Sequence, residues 1–238
     1  MDKLNNIPIY WINLDRSNIR KNRTQKLFGL HPNNRISAID GSNLNFDKIL
    51  LPNNYIGSKY ELACTCSHLK AIYMAYISME ELVIISEDDV DISLMDKWNM
   101  DMCQMINLAP SDWEILQLNT SDPDAILLLF DLYKLNNNNL WSIWLNYSST
   151  VIYAINRIVM KNIIDKFIKY DSLKGIIYDF TSENNLLADY LIYTHMNTYT
   201  INKPIFNYFS IDSNIHTDHL YFQNNVRNLI SKVNSLDI

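Results

Sequence analysis

Four carboxylates crowd into five residues, Glu87, Asp88, Asp89 and Asp91, immediately after the strand-like run Leu82-Val83-Ile84-Ile85-Ser86. Like charges this close repel one another, and more strongly where a cleft excludes water, so a neutralising partner is expected. If the segment stays extended, its side chains alternate, and Glu87, Asp89 and Asp91 share one side where their oxygens can converge on a hard cation. In open α/β sheets the ligand crevice lies beyond the carboxyl ends of the strands, which is where a buried strand Leu82–Ile85 would deliver these acids. Mn²⁺ or Mg²⁺ held there would bridge diphosphate oxygens and offset the charge on a departing nucleotide. The competing reading is a solvated acidic turn, which the wholly apolar run before it disfavours.

The elements that must position this cluster follow from the apolar patterning. Ile7 to Leu14 reads as a buried strand that runs into the polar loop Asn13, Asp15, Arg16, Ser17. Ser17 can cap a helix to about Phe28 carrying Arg20, Lys21, Arg23 and Lys26, and a strand Arg35 to Ile39 stops at Asp40-Gly41. Ser58-Lys59-Tyr60-Glu61 fits a capping box, in which serine and glutamate satisfy each other's backbone N–H groups, and starts a helix to about Met79. On it Leu62, Cys66, Leu69, Tyr73 and Tyr76 form the core stripe, while Glu61, Thr65, His68 and Ile72 share another, so that His68 need not be core. Strands are expected at Trp113–Leu118 and Thr150–Ile155, helices at Arg157–Lys169 and Ser182–Thr194, and an extended segment at Thr198–Phe206. This alternation predicts an α/β fold with a mostly parallel sheet flanked by helices. No boundary interrupts it, so a single domain over 1–238 is expected, with an Asn136–Asn139 loop inside it.

Bulk properties exclude several function classes. A net charge of −6 would repel a polyanionic backbone, so nucleic acid is not expected as a partner. Three cysteines, Cys64, Cys66 and Cys103, cannot build a disulfide framework, and Cys64-x-Cys66 lacks the second pair that a structural zinc site needs. No basic-then-apolar leader opens the chain, and its longest apolar run, Ala125–Phe130, is far short of the ~20 residues of a membrane span. A reducing, cytoplasmic setting is the expectation.

Four motifs in order resemble glycosyltransferase family 25, which includes lipopolysaccharide-modifying transferases and collagen galactosyltransferases. They are Ile12-Asn13-Leu14-Asp15-Arg16-Ser17 with Arg20, Arg35 to Ala38-Ile39-Asp40-Gly41, Ser67-His68-Leu69-Lys70-Ala71, and Val83 to Ser86-Glu87-Asp88-Asp89-Val90. The strong match covers roughly residues 7 to 95. Thr150 to Ile155, Ala188-Asp189-Tyr190-Leu191, Tyr199 to Phe206 and Asp212 to Ile215 resemble later segments. The resemblance implies a GT-A-like, Rossmann-like fold, a UDP-sugar donor, a divalent cation at the acidic motif and inversion at the anomeric carbon. Where the family has a Gly-containing stretch before Ser-His-Leu, this chain has Leu62-Ala63-Cys64-Thr65-Cys66.

On that basis each residue receives a role. Asp89 and Glu87 hold the metal, and Asp88 bonds the ribose or orients its neighbours. Asn13, Asp15, Arg16 and Arg20 line the nucleotide pocket, since an arginine fork suits phosphate oxygens. Asp40 bonds uracil or ribose, or simply ends its strand in a turn. His68 and Lys70 reach the diphosphate or the donor sugar. An inverting transfer needs a carboxylate to take the proton of the acceptor hydroxyl, and Asp189 is the candidate. His216 either joins the metal shell or is structural. Trp141, Trp144 and Tyr147 form either a platform for a sugar ring or part of the core. Residues 1–120 form the donor half and 121–238 the acceptor half. The expected reaction moves galactose or glucose to a glycan, a lipopolysaccharide-like acceptor or a protein hydroxyl. The alternatives are a degenerate nucleotide-sugar or glycan-binding module, and a metal-dependent phosphoryl enzyme, which the lack of a Gly-rich phosphate loop disfavours.

Overall fold

The computed structural model describes residues 3–209 and 219–235, and the side chains of all of these except 219–222. The elements run β1 (Ile9–Asn13), α1 (Asn18–Phe28), β2 (Asn33–Ser37), β3 (Ile49–Leu50), α2 (Lys59–Ile77), β4 (Leu82–Glu87), β5 (Val90–Asp91), α3 (Met102–Asn107), β6 (Ile115–Gln117) and α4 (Pro123–Leu135). They continue with β7 (Trp141–Ile143), β8 (Ile152–Asn156), α5 (Arg157–Phe167), β9 (Ile168–Asp171), β10 (Gly175–Asp179), α6 (Ala188–Tyr193), β11 (Thr198–Ile201), β12 (Asn207–Tyr208) and α7 (His219–Ser235).

A seven-stranded sheet in the order β2-β1-β4-β8-β6-β11-β7 forms the centre. Strands β2, β1, β4, β6 and β11 share one direction, while β8 and β7 run against them. Because both faces are covered, β1 is buried along its whole length and reads as a continuous apolar run. Side-chain alternation divides it: Ile9 and Trp11 join a core with Phe28 of α1, Met102 of α3, Ile126 of α4 and Ile230 of α7. Tyr10 and Ile12 join the opposite core with Leu62 and Leu69 of α2, Met160 of α5 and Leu191 of α6. The result is the expected α/β architecture, a mixed and mostly parallel sheet between helical layers.

The capping box of α2 forms as read, with the Tyr60 N–H donating to Ser58 Oγ at 3.2 Å and the Ser58 N–H donating to Glu61 at 3.3 Å. Several expectations are corrected. Ser17 precedes α1, but its hydroxyl makes no capping hydrogen bond. The helix expected over Ser182–Thr194 shortens to α6, because Asn185 Oδ1 accepts from the Leu187 N–H and holds the preceding chain in a turn. The apolar run Ala125–Phe130 belongs to α4, begun by Asp122, whose carboxylate accepts from two N–H groups, and by Pro123 in the first turn. Among the described residues no helix is long and apolar enough to cross a membrane.

Candidate active site

The carboxyl ends of β1 and β4 lie side by side, Ile12 opposite Glu87, and open into a cleft of about 440 Å³. That volume falls within the roughly 300–1,000 Å³ typical of small-ligand pockets. Its floor is the acidic segment, which is not extended. β4 ends at Glu87, a turn carries Asp88 and Asp89, and β5 resumes at Val90. The turn breaks the alternation that would have gathered Glu87, Asp89 and Asp91 on one side. Asp91 instead accepts from the Ser93 N–H at 2.9 Å, outside the cleft lining.

Helix α1 grips the turn. Arg20, Arg23 and Thr24 stand three and four residues apart and so share one helix face. Arg20 forks between Asp88 and Asp89, lying 3.1 Å from Asp89 Oδ2, and the backbone carbonyl of Asp88 accepts from Arg23 and, at 2.9 Å, from Thr24 Oγ1. Asn13 Nδ2 donates to Asp88 Oδ2 at 2.5 Å, while its own Oδ1 accepts from Arg35 at 2.9 Å. The neutralising partner required by the charge density is therefore, within the chain itself, Arg20.

Compensation is incomplete at Asp89. Burial, then the charge of Glu87, pushes its carboxyl up to about 7 despite Arg20, and its Oδ1 is buried with no hydrogen-bond partner among the described residues. Burial raises Asp88 as well, against the pull of Arg20 and Asn13. For Glu87, burial acts upward, but His68 and Thr150 outweigh it and hold the group below its ordinary value. Thr150 Oγ1 donates to Glu87 Oε1 at 2.9 Å, and His68 Nε2 lies 3.4 Å from the same oxygen.

One wall comes from the β2-to-α2 connection and from α2 itself. Asp40 pairs with Arg16 at the mouth and accepts from the N–H and hydroxyl of Ser42 at 2.9 and 2.7 Å, which caps a short turn over Gly41–Asn43; the strand expected to reach Ile39 ends earlier, at Ser37. Gly41 passes so close to α2 that a Cβ there would meet Tyr60 Cα at 2.8 Å, which excludes larger residues. Ser67 Oγ accepts from the Ile39 N–H at 2.8 Å and ties α2 to the segment that follows β2. His68 is fully buried, and so are Thr65 and Ile72 of the same α2 stripe, because the helix packs against α5 and α6 as well as the sheet. It still reaches the cleft through its ring edge, beside Cys64, whose thiol burial and Glu87 push well up.

Two of the nucleotide-pocket candidates do not line the cleft. Asp15 accepts from Arg35 at 2.5 Å and from Ser37 Oγ at 2.7 Å, with its side chain 71% exposed, and the Arg35 hydrogen bond holds its carboxyl below the usual range. Lys70 donates to the Ser37 carbonyl at 2.7 Å. Both bond to β2 and lie outside the cleft lining. Asn13, Arg16, Arg20, Asp40, His68, Glu87, Asp88 and Asp89 all line it.

The other wall consists of Ser148–Val151, Leu187–Asp189, Tyr208 and Gln223. Asp189, in the first turn of α6, accepts from the Ser149 N–H at 3.3 Å and from the Tyr190 N–H at 2.9 Å. Ser149 has φ of 131°, a conformation L residues rarely hold. It is held there because its hydroxyl donates to Asn119 at 3.1 Å and its carbonyl accepts from Gln117 and Tyr193, each at 3.0 Å. Trp141 and Tyr147 are buried and Trp144 packs its ring edge-on to Tyr193, so these three belong to the core and not to a sugar platform. His216 lies outside the described residues. Sequence reading missed Thr150, Ser149 and Gln223 as cleft residues; the shared helix face of Arg20, Arg23 and Thr24 was a signal that could have revealed the clamp.

A comparison with curated proteins finds no match to this chain. Residues 6–212 match the family model described as glycosyltransferase family 25 (LPS biosynthesis protein), a span that contains both cleft walls except Gln223. Matched over most of its length and carrying the motif residues Asn13, Arg20, His68 and Glu87–Asp89 in one cleft, the chain belongs to glycosyltransferase family 25.

Proposed function

We propose that this glycosyltransferase moves galactose or glucose from a UDP-sugar to a hydroxyl of a glycan, lipopolysaccharide-like or protein acceptor, with inversion and with the help of Mn²⁺ or Mg²⁺. The observation that carries the reading is the clamped Asp88–Asp89 turn at the end of β4, facing Asp189 across a single cleft. Glu87 and Asp89 suit a hard cation, since Asp89 keeps a buried oxygen without a partner among the described residues and a carboxyl raised by burial first and by the charge of Glu87 second. When bound, such a cation would neutralise the diphosphate and ease its departure.

The chain's own residues account for the rest. Arg16, partly exposed at the mouth, and Arg20, on the floor, offer planar donors to phosphate oxygens. Asn13 and Asp88 fix the floor that the ribose would meet, and Asp40 stands where the uracil or ribose hydroxyls could bond. The two N–H groups on Asp189 orient its carboxylate toward the cleft, where it accepts the proton of the acceptor hydroxyl. As the acceptor oxygen bonds to the anomeric carbon, the bond to the nucleotide breaks and UDP leaves with the electron pair.

The test is UDP release from UDP-galactose and UDP-glucose in the presence of Mn²⁺ and a panel of glycan acceptors, for the wild type and Asp189→Asn. The variant is expected to keep donor binding and lose at least about a hundredfold in turnover. Undiminished turnover removes Asp189 from the reaction, and donor binding without product from any acceptor in the wild type favours a binding module.

A further inference from the structure

The transfer reaction leaves Cys64, which lines this cleft, without a task. Cys64 and His68 stand four residues apart on α2 and therefore face the same way. Glu87, at the end of β4, faces them. A ligand atom from each of the three lies within 4.8 Å of the others. A tetrahedral ion with bonds of 2.0–2.3 Å needs ligand atoms roughly 3.3–3.8 Å apart, a closure that small side-chain rotations supply.

A separate observation points to a missing partner. His68 is fully buried, and its Nε2 has no hydrogen-bond partner among the described residues, although it points toward Glu87 at 3.4 Å. Its Nδ1 lies 3.3 Å from the Tyr153 hydroxyl, the outer contact that commonly orients a metal-bound imidazole. Sequence spacing paired Cys64 with Cys66, but Cys66 turns into the core while Cys64 turns to the cleft. The helix pairs Cys64 with His68 instead.

We propose that Cys64, His68 and Glu87 form a three-ligand site for a borderline divalent cation, zinc above all, with its fourth position open to the cleft. Thiolate, imidazole and carboxylate together select zinc over manganese or magnesium, which prefer oxygen alone. Binding sends the Cys64 thiol proton to solvent as the metal–sulfur bond forms, and the His68 ring binds through neutral Nε2. The site shares Glu87 with the oxygen-rich donor site but does not depend on sugar transfer.

Cobalt(II), titrated into the chelator-treated full-length chain, tests this without an activity assay. One equivalent is expected to produce a thiolate-to-cobalt charge-transfer band together with the strong visible bands of a tetrahedral ion, and zinc is expected to bleach both. Cys64→Ser should abolish the charge-transfer band and weaken zinc about tenfold or more; Glu87→Gln should weaken zinc while keeping the band; exposed Cys103, mutated to Ser, should change neither. Far-ultraviolet circular dichroism confirms that each variant is folded. Absence of the band in the folded wild type, its survival in Cys64→Ser, or its loss in Cys103→Ser would overturn the assignment.

Discussion

The floor of the cleft and the wall around Ser149 are built from different physics. On the floor, charge is set against charge: Arg20 spans Asp88 and Asp89, with the three side chains only 12%, 8% and 14% exposed. In the wall, Ser149 and Asp189 are placed by backbone N–H groups, a neutral amide and a tyrosine hydroxyl around a strained dihedral. The floor therefore has its cost in desolvated charge and its fragility in single side chains. The Ser149 wall stores its cost in backbone conformation, and its stability is spread over many modest hydrogen bonds.

That contrast makes Arg20→Ala the most damaging change. It leaves two largely buried carboxylates without their cation, a loss of about 3–5 kcal/mol. Urea unfolding should show the midpoint falling accordingly, and a loss below about 1 kcal/mol would mean that water already screens the turn.

Among the ion pairs of the C-terminal half, the one around Glu183 can be set beside this. Buried Glu183 lies 2.9 Å from Lys166 and 3.1 Å from His195, and although burial raises its carboxyl, the contacts with Lys166 and then His195 hold it below its ordinary value. A group with a depressed folded value stabilises the fold fully above its unfolded pKa, about 4.3, and loses that contribution as pH falls through the folded value. Glu183→Gln should therefore cost about 1–2 kcal/mol at neutral pH, discounted for the partly exposed partners, and flatten the acid limb of the melting-temperature profile. An acid limb as steep as the wild type's would assign the acid sensitivity elsewhere.

The smallest effect probes the strained residue. Ser149→Ala keeps the unfavourable φ and loses the hydroxyl bond to Asn119, whereas Ser149→Gly loses the same bond but relieves the strain. Glycine should then be the milder substitution by about 1 kcal/mol, the reverse of the usual order. If alanine is the milder one in chemical denaturation, the Ser149 wall is not held under strain.

The same contrast explains what could be read in advance. β1 and β4 were legible because a strand buried on both faces is a continuous apolar run, and the start of α2 was legible because its capping box is local. The acid cluster announced its need for a cation, and the family motifs brought Asn13, Arg20, His68 and Glu87–Asp89 together. Which cation the chain itself supplies was not legible, since Arg20 meets the turn only after α1 docks across the sheet. Asp15 and Lys70 match the motifs yet brace β2, because motif spacing does not tell which side of a loop faces the cavity. The burial of His68 was not legible, because whether neighbouring helices cover its stripe of α2 is decided by packing and not by spacing. Ser149 carried no signal at all, for its role lies in a dihedral fixed by residues far along the chain.

The central claim is that the clamped turn is a cation-dependent donor site. A thermal-shift panel of UDP-glucose, UDP-galactose, UDP-N-acetylglucosamine and UDP, each with and without Mn²⁺, tests it most directly on the wild type and Asp89→Ala. A ligand at a hundred times its Kd adds about 2.7 kcal/mol, a rise of roughly 5–10 °C for a chain of this size. The account predicts such a rise for at least one UDP-sugar, dependent on Mn²⁺ and lost in Asp89→Ala. An equal rise in the variant, or none with any nucleotide, would contradict it.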